Sequence, residues 1–111
     1  MEYMLLITTD PEAEPYDPEF DNIVEWVDDL EKRGIRGHGD RLRPPEDAKI
    51  VRIRRGRLEV TDGPFTETKE WIAGYDILDC ESMDQAVEIA SRHPMARFGR
   101  VEVRAIWPFE G

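Results

Sequence analysis

The residues best suited to chemistry gather around one run, Asp62-Gly63-Pro64-Phe65-Thr66-Glu67-Thr68-Lys69-Glu70. Glu67, Lys69 and Glu70 set carboxylates beside an ammonium. Such a set can hold a small polar ligand, or move a proton once burial has tuned a pKa. A plainer account also fits. Asp62 can bond turn amides, Gly63 can supply an unusual backbone angle, and Glu67 and Lys69 can be solvated charges. His93 is the other proton carrier, because an imidazole titrates near neutrality. It comes after a helical stretch, where a charged imidazole would instead complement the helix dipole. His38 lies between Gly37 and Gly39, next to Asp40. Two histidines without ligand spacing are no metal motif.

Asp76 interrupts an apolar run. A carboxylate there must be paired or protonated. It reads either as a pocket acid or as the partner of an arginine such as Arg104, and pairing is the favoured reading. Arg104 and Glu102 alternate onto one face of the last strand, where they mark a polar cavity or a cross-strand ion pair. Trp71, Tyr75 and Trp107 read as core or interface. No nucleophile constellation, phosphate loop or cofactor motif is present; Gly34, Gly37 and Gly39 do not sit at a strand-to-helix turn.

The elements that must position these groups are set by periodicity. Tyr3–Thr8 is a strand with both faces apolar, hence buried on both sides. A loop with three prolines occupies 10–18. Asp17-Pro18 starts a helix whose stripe is Phe20, Ile23, Val24, Val27 and Leu30, and Gly34 stops it. A weak strand spans Ile35–Arg43, and Pro44-Pro45 ends it. Lys49–Arg54 and Arg57–Thr61 form a basic hairpin about Arg55-Gly56. Trp71–Cys80 is the longest apolar run and a central strand. Ser82 and Gln85 form a capping box for a second helix with stripe Met83, Ala86, Val87 and Ala90, which Pro94 ends. Arg100–Trp107 is the last strand. This order predicts one α+β domain over residues 1–111, a ferredoxin-like split β-α-β with an added hairpin.

Charge and composition narrow the class. The chain has 111 residues and a formal net charge of −10. Residues 10–31 hold ten acids and no base, whereas 32–57 hold ten bases and three acids, a local +7. The acidic balance predicts no nucleic-acid or membrane partner, although the basic segment weakens that exclusion. Without interleaved aromatics, the hairpin's arginines read as charge protecting a strand edge. Lone Cys80 excludes an internal disulfide and reads as a buried small hydrophobe. No signal peptide or membrane span is evident, so a cytoplasmic setting is expected. Two helices cover only one face of an open sheet, yet the central strands are apolar on both. A second copy packed face to face is the simplest cover, predicting a homodimer.

The Asp62–Glu70 run resembles the signature of the DGPF branch of the YCII-related domain family. Tyr3–Ile7, Leu42–Pro45, Val60–Asp62, Ala73–Tyr75 and Val101–Arg104 extend the resemblance over nearly the whole chain. It implies a ferredoxin-like fold dimerised as an α/β barrel. It also implies a bacterial family whose genes in part neighbour alternative sigma factors, and whose distant members include a lactone dehalogenase. Related proteins carry a His in the first helix and an Asp before a Pro after the second. Here Phe20–Arg33 has no His, and His93-Pro94 stands where Asp-Pro would fall, so that pair is not carried over. Two functions remain open. One is small-molecule binding or acid–base chemistry on a small polar or lactone-like compound, with His93 as proton carrier and Asp62, Glu67, Lys69, Glu70 and Arg104 as binding groups. The other is a non-catalytic regulatory or interaction module linked to sigma factors or stress.

Overall fold

The computed structural model describes residues 1–63 and 70–109. Its elements are β1 (Glu2–Thr8), α1 (Ile23–Lys32), β2 (Arg36–Arg41), β3 (Lys49–Arg54), β4 (Arg57–Asp62), β5 (Ile72–Asp79), α2 (Met83–Ser91), α3 (Met95–Phe98) and β6 (Arg100–Ala105). Four strands form an antiparallel sheet in the order β2-β5-β1-β6. With the hairpin set aside, this is the strand order of a split β-α-β, consistent with a ferredoxin-like α+β fold. The hairpin β3–β4 is a separate two-stranded sheet. The two most apolar runs, β1 and β5, lie at the centre as their composition requires.

Pleat alternation sorts the side chains. Tyr3, Leu5, Ile7 and Leu78 point to the helices and are buried with Trp26, Leu30, Ala86, Ile89 and Ala90. Met4, Leu6, Tyr75 and Ile77 point to the other face and are partly exposed.

α1 departs from the sequence expectation. Asp17 does cap the chain, accepting from the Glu19 amide, but it opens only one 3₁₀ turn, Pro18–Phe20. The α-helix begins at Ile23, whose amide donates to the Asp21 carboxylate at 3.2 Å. Trp26 and Leu30 are its buried residues, Ile23 and Val27 pack against the core, and Val24 of the expected stripe is 74% exposed. The stop is as expected. Gly34 has φ +69°, and the Gly34 and Ile35 amides donate to the Glu31 and Leu30 carbonyls, a complete Schellman motif.

α2 starts as expected: the Ser82 hydroxyl accepts from the Gln85 amide at 3.1 Å, and Gln85 reaches back to the Glu81 amide. Its buried residues are Ala86, Ile89 and Ala90, with Met83 and Val87 on the surface. Pro94 sits at the start of α3, so the chain turns there rather than leaving helix altogether. No helix among the described residues is long and apolar enough to cross a membrane. Cys80 is buried and free.

Candidate functional site

A cavity of about 460 Å³ opens between the helix side of the sheet and the helices. Ile7, Ile23, Val27, Met95 and Phe98 give it apolar walls. Its polar lining includes Tyr16, Asp21, Asp40 and Arg41, and the three best-shielded polar groups come from three places in the fold: Arg36 on β2, Asp76 on β5 and His93 just after α2. Such a cavity, apolar with few convergent polar groups, is the usual form of a small-molecule site.

Asp76 stands opposite Leu5 on the helix side of β5 and is 5% exposed. Its partner is Arg36, not Arg104. The Arg36 Nε donates to Asp76 Oδ1 at 2.8 Å. The same guanidinium donates to Glu31 Oε1 at 2.9 Å and to the Gly39 carbonyl at 2.9 Å, so its plane is fixed from three sides.

A β-bulge makes the pair possible. Along a regular strand, residues 36, 38 and 40 would share a face. The register shifts between Arg36 and His38, so that Arg36 stands opposite Leu78 and Gly39 opposite Asp76. Leu78 and Asp76 both face the helices, so the bulge turns Arg36 toward the carboxylate. Gly39 completes the arrangement. A Cβ there would overlap the Asp76 carboxylate, the Arg36 guanidinium and the Tyr75 carbonyl. The glycines that weaken this strand in a propensity reading are thus what the site needs.

His93 is 6% exposed. Its Nδ1 accepts the Met95 amide at 3.0 Å, which caps the start of α3. A neutral imidazole with an accepting Nδ1 carries its proton on Nε2. That Nε2 lies 4.0 Å from Asp76 Oδ2, too far for a direct hydrogen bond. The Trp26 indole meets the imidazole edge-on, with centroids 4.7 Å apart and planes at 74°, and its Nε1 donates to the Ile89 carbonyl at 3.0 Å.

The electrostatics are set by burial. Burial drives the His93 pKa down to about 4; Asp21 opposes the shift and Arg36 reinforces it. The imidazole is therefore neutral at pH 7, not the charged dipole partner expected at a helix end. Burial also raises the Asp76 pKa, against the hydrogen bond and charge of Arg36, with Asp40 adding to the rise. The gap thus holds a fixed N–H donor facing a carboxyl whose proton affinity is enhanced.

The other sequence candidates lie elsewhere. Asp62 ends β4 and pairs with Lys49 at the base of the hairpin. Glu70 pairs with Arg100 at 3.1 Å, on the surface. Arg104 is exposed on the opposite sheet face, with its Nε 3.8 Å from Glu102. Glu67 and Lys69 lie outside the described residues. His38 is also on the opposite face, its Nδ1 2.7 Å from the Tyr75 hydroxyl. Among the described residues no group of three or more His, Cys, Asp or Glu is placed to hold a metal.

Sequence reasoning picked out Asp76 and His93 separately but missed Arg36, Gly39 and Trp26. Gly37-His38-Gly39 was the one signal at hand, since glycine in a strand often marks a bulge or a close approach.

Comparisons with known proteins bear on the family and not on the chemistry. A stretch of 57 residues is 44% identical to uncharacterized protein R00369 of Rhizobium meliloti (strain 1021), covering 51% of this chain and 46% of that protein. The chain thus aligns with a little under half of that relative's length. The YCII-related domain model matches residues 1–110, taking in both the Asp76–His93 cavity and the hairpin. By that match the chain belongs to the YCII-related domain family.

Proposed function

We propose that the chain binds a small, largely apolar molecule at the gap between His93 and Asp76, and that Asp76 exchanges a proton with a hydroxyl of that molecule or with a water held beside it. The observation that carries this reading is the 4.0 Å gap between His93 Nε2 and Asp76 Oδ2 in a cavity with apolar walls. An oxygen in that gap accepts from the His93 N–H and, as a hydroxyl or a water, donates to Asp76. His93 is then the hydrogen-bond donor and Asp76 the proton carrier. Arg36 holds the carboxyl oriented through Oδ1. When Asp76 takes the proton, the negative charge left on the oxygen is met by the Nε2–H. A carboxylate ligand would meet Asp76 as a like charge, which favours neutral alcohols, enols, ketones and lactones.

The test is a thermal-shift and lactone-hydrolysis screen with such compounds on the wild type, Asp76→Asn and His93→Gln. The reading requires a compound that stabilises or is turned over by the wild type, with turnover lost in Asp76→Asn. A compound that acts equally on all three proteins would overturn it.

Two finer assignments accompany this reading. The Asp62–Glu70 run supports placement in the DGPF branch. The Met4, Leu6, Tyr75 and Ile77 face supports a homodimer closed sheet to sheet as an α/β barrel, because an uncovered apolar sheet face is unusual in a monomer.

A further inference from the structure

We propose that the β3–β4 hairpin is an arm whose apolar face packs on a second copy of this chain. Its cross-strand pairs are Val51 with Val60 and Ile53 with Leu58. All four side chains fall on one face. They are exposed at 66%, 55%, 66% and 67% in that order, far more than the half-covered Met4 and Leu6 of the main sheet. The opposite hairpin face is better shielded, with Arg52 bonded to Glu59 at 3.0 Å. The hairpin makes no substantial packing contact with any other described element of its own chain. A lone two-stranded hairpin is marginal in water, so its apolar face requires a partner.

Surface area and charge identify that partner. The chain exposes 8537 Å², whereas a compact monomer of this mass exposes roughly 6,300 Å². The excess, on the order of 2,000 Å², is of the size that one protomer contributes to a large obligate interface. The radius of gyration is 16.2 Å, against about 13 Å for a compact chain of this length. The hairpin carries Lys49, Arg52, Arg54, Arg55 and Arg57 against Glu59 and Asp62, a net +3. A second copy carries ten acids in residues 10–31, of which Asp10, Glu14, Asp28, Asp29 and Glu31 are ion-paired within their own chain, and with its formal net charge of −10 it is an acidic partner for a basic apolar arm. The inference goes beyond the sheet-to-sheet dimer, because the arm is a different surface from the sheet face.

Sedimentation equilibrium on the full chain tests it, comparing wild type, Ile53→Ser/Leu58→Ser on the arm and Leu6→Ser on the sheet face. The wild type dimerises, and the arm variant raises the dissociation constant about 10- to 100-fold with an unchanged far-UV spectrum. A wild-type monomer at micromolar concentration overturns the arm and the sheet-face dimer together. If Leu6→Ser dissociates the dimer while the arm variant matches wild type, the sheet-face dimer stands and the arm fails. Hydrogen exchange on the wild type covers the case of a misfolded variant. Amides of residues 50–61 exchange slowly in concentrated protein and quickly after dilution. Exchange that ignores protein concentration, or slows only when heparin is added, overturns the proposal.

Discussion

The helix side of the sheet and the hairpin are built from the same kinds of residue, apolar side chains and arginines, yet they end in opposite states. On the helix side, Leu5, Leu30 and Leu78 are fully buried and Arg36 spends its guanidinium on Asp76, Glu31 and Gly39. On the hairpin, Val51, Ile53, Leu58 and Val60 face solvent, beside a tip bearing Arg54, Arg55 and Arg57. The first region is completed within one chain and can hold a site in fixed geometry. The second is incomplete alone. Substitutions in the first should therefore cost fold stability, and substitutions in the second should leave the fold intact and change association.

The largest expected effect comes from acid. Unfolded His93 takes up its proton near its ordinary pKa of 6.5, whereas folded His93 does so near 4. Between those values the unfolded state binds one more proton, so stability falls as pH falls. The loss across the window is about 3 kcal/mol. The raised Asp76 acts in the opposite sense: the stability it contributes is present in acid and is lost as pH rises through its folded pKa. Urea unfolding of wild type and His93→Gln from pH 7 to pH 4 isolates the His93 part. The gap between the two profiles should shrink toward low pH as the wild type loses stability. A constant gap would place His93 in an environment like that of the hairpin.

Next in size is Gly39→Ala. Its methyl group must displace the Asp76 carboxylate, the Arg36 guanidinium or the Tyr75 carbonyl. A loss of about 2 kcal/mol in urea unfolding is expected. Gly56→Ala in the hairpin turn meets no neighbour, although its φ of +75° makes it cost something through the backbone. Trp26→Phe keeps the ring contact but leaves the Ile89 carbonyl without its indole donor. It should cost about 1 kcal/mol. Smallest is Leu58→Ser. At concentrations low enough to exclude association, the unfolding free energy should change by no more than about 0.5 kcal/mol. A loss as large as that of Gly39→Ala would mean that the hairpin is part of the core, and the contrast between the regions would fail.

What could be read in the sequence divides along the same line. The β3–β4 hairpin, the α2 cap at Ser82 and the stop at Gly34 rest on local chemistry, and local patterns revealed them. The start of α1 lies later than Asp17-Pro18 suggests, because that cap opens only one 3₁₀ turn and the helix proper follows Asn22, with the Ile23 amide held by the Asp21 carboxylate. The site was legible in pieces. A carboxylate in an apolar run and a histidine before a proline each stood out alone. Their convergence depends on the strand order β2-β5-β1, and the Arg36 pairing depends on a one-residue bulge. The convergence leaves no local pattern, and the bulge leaves only the Gly37-His38-Gly39 run, which does not say which way Arg36 turns, since a one-residue change of register turns every side chain to the other face. Asp76 is paired with an arginine, as its place in an apolar run requires, but the arginine is Arg36 and not Arg104, which stands opposite Met4 on the face away from the helices.

The central claim is that His93 is a neutral, fixed N–H donor aimed at Asp76. Nitrogen-detected NMR of the imidazole on selectively labelled protein tests it most directly. The expected result is an Nε2–H tautomer that persists from pH 7 down to about 4 before the ring is protonated. An Nδ1–H tautomer, or a titration near 6.5, would contradict it.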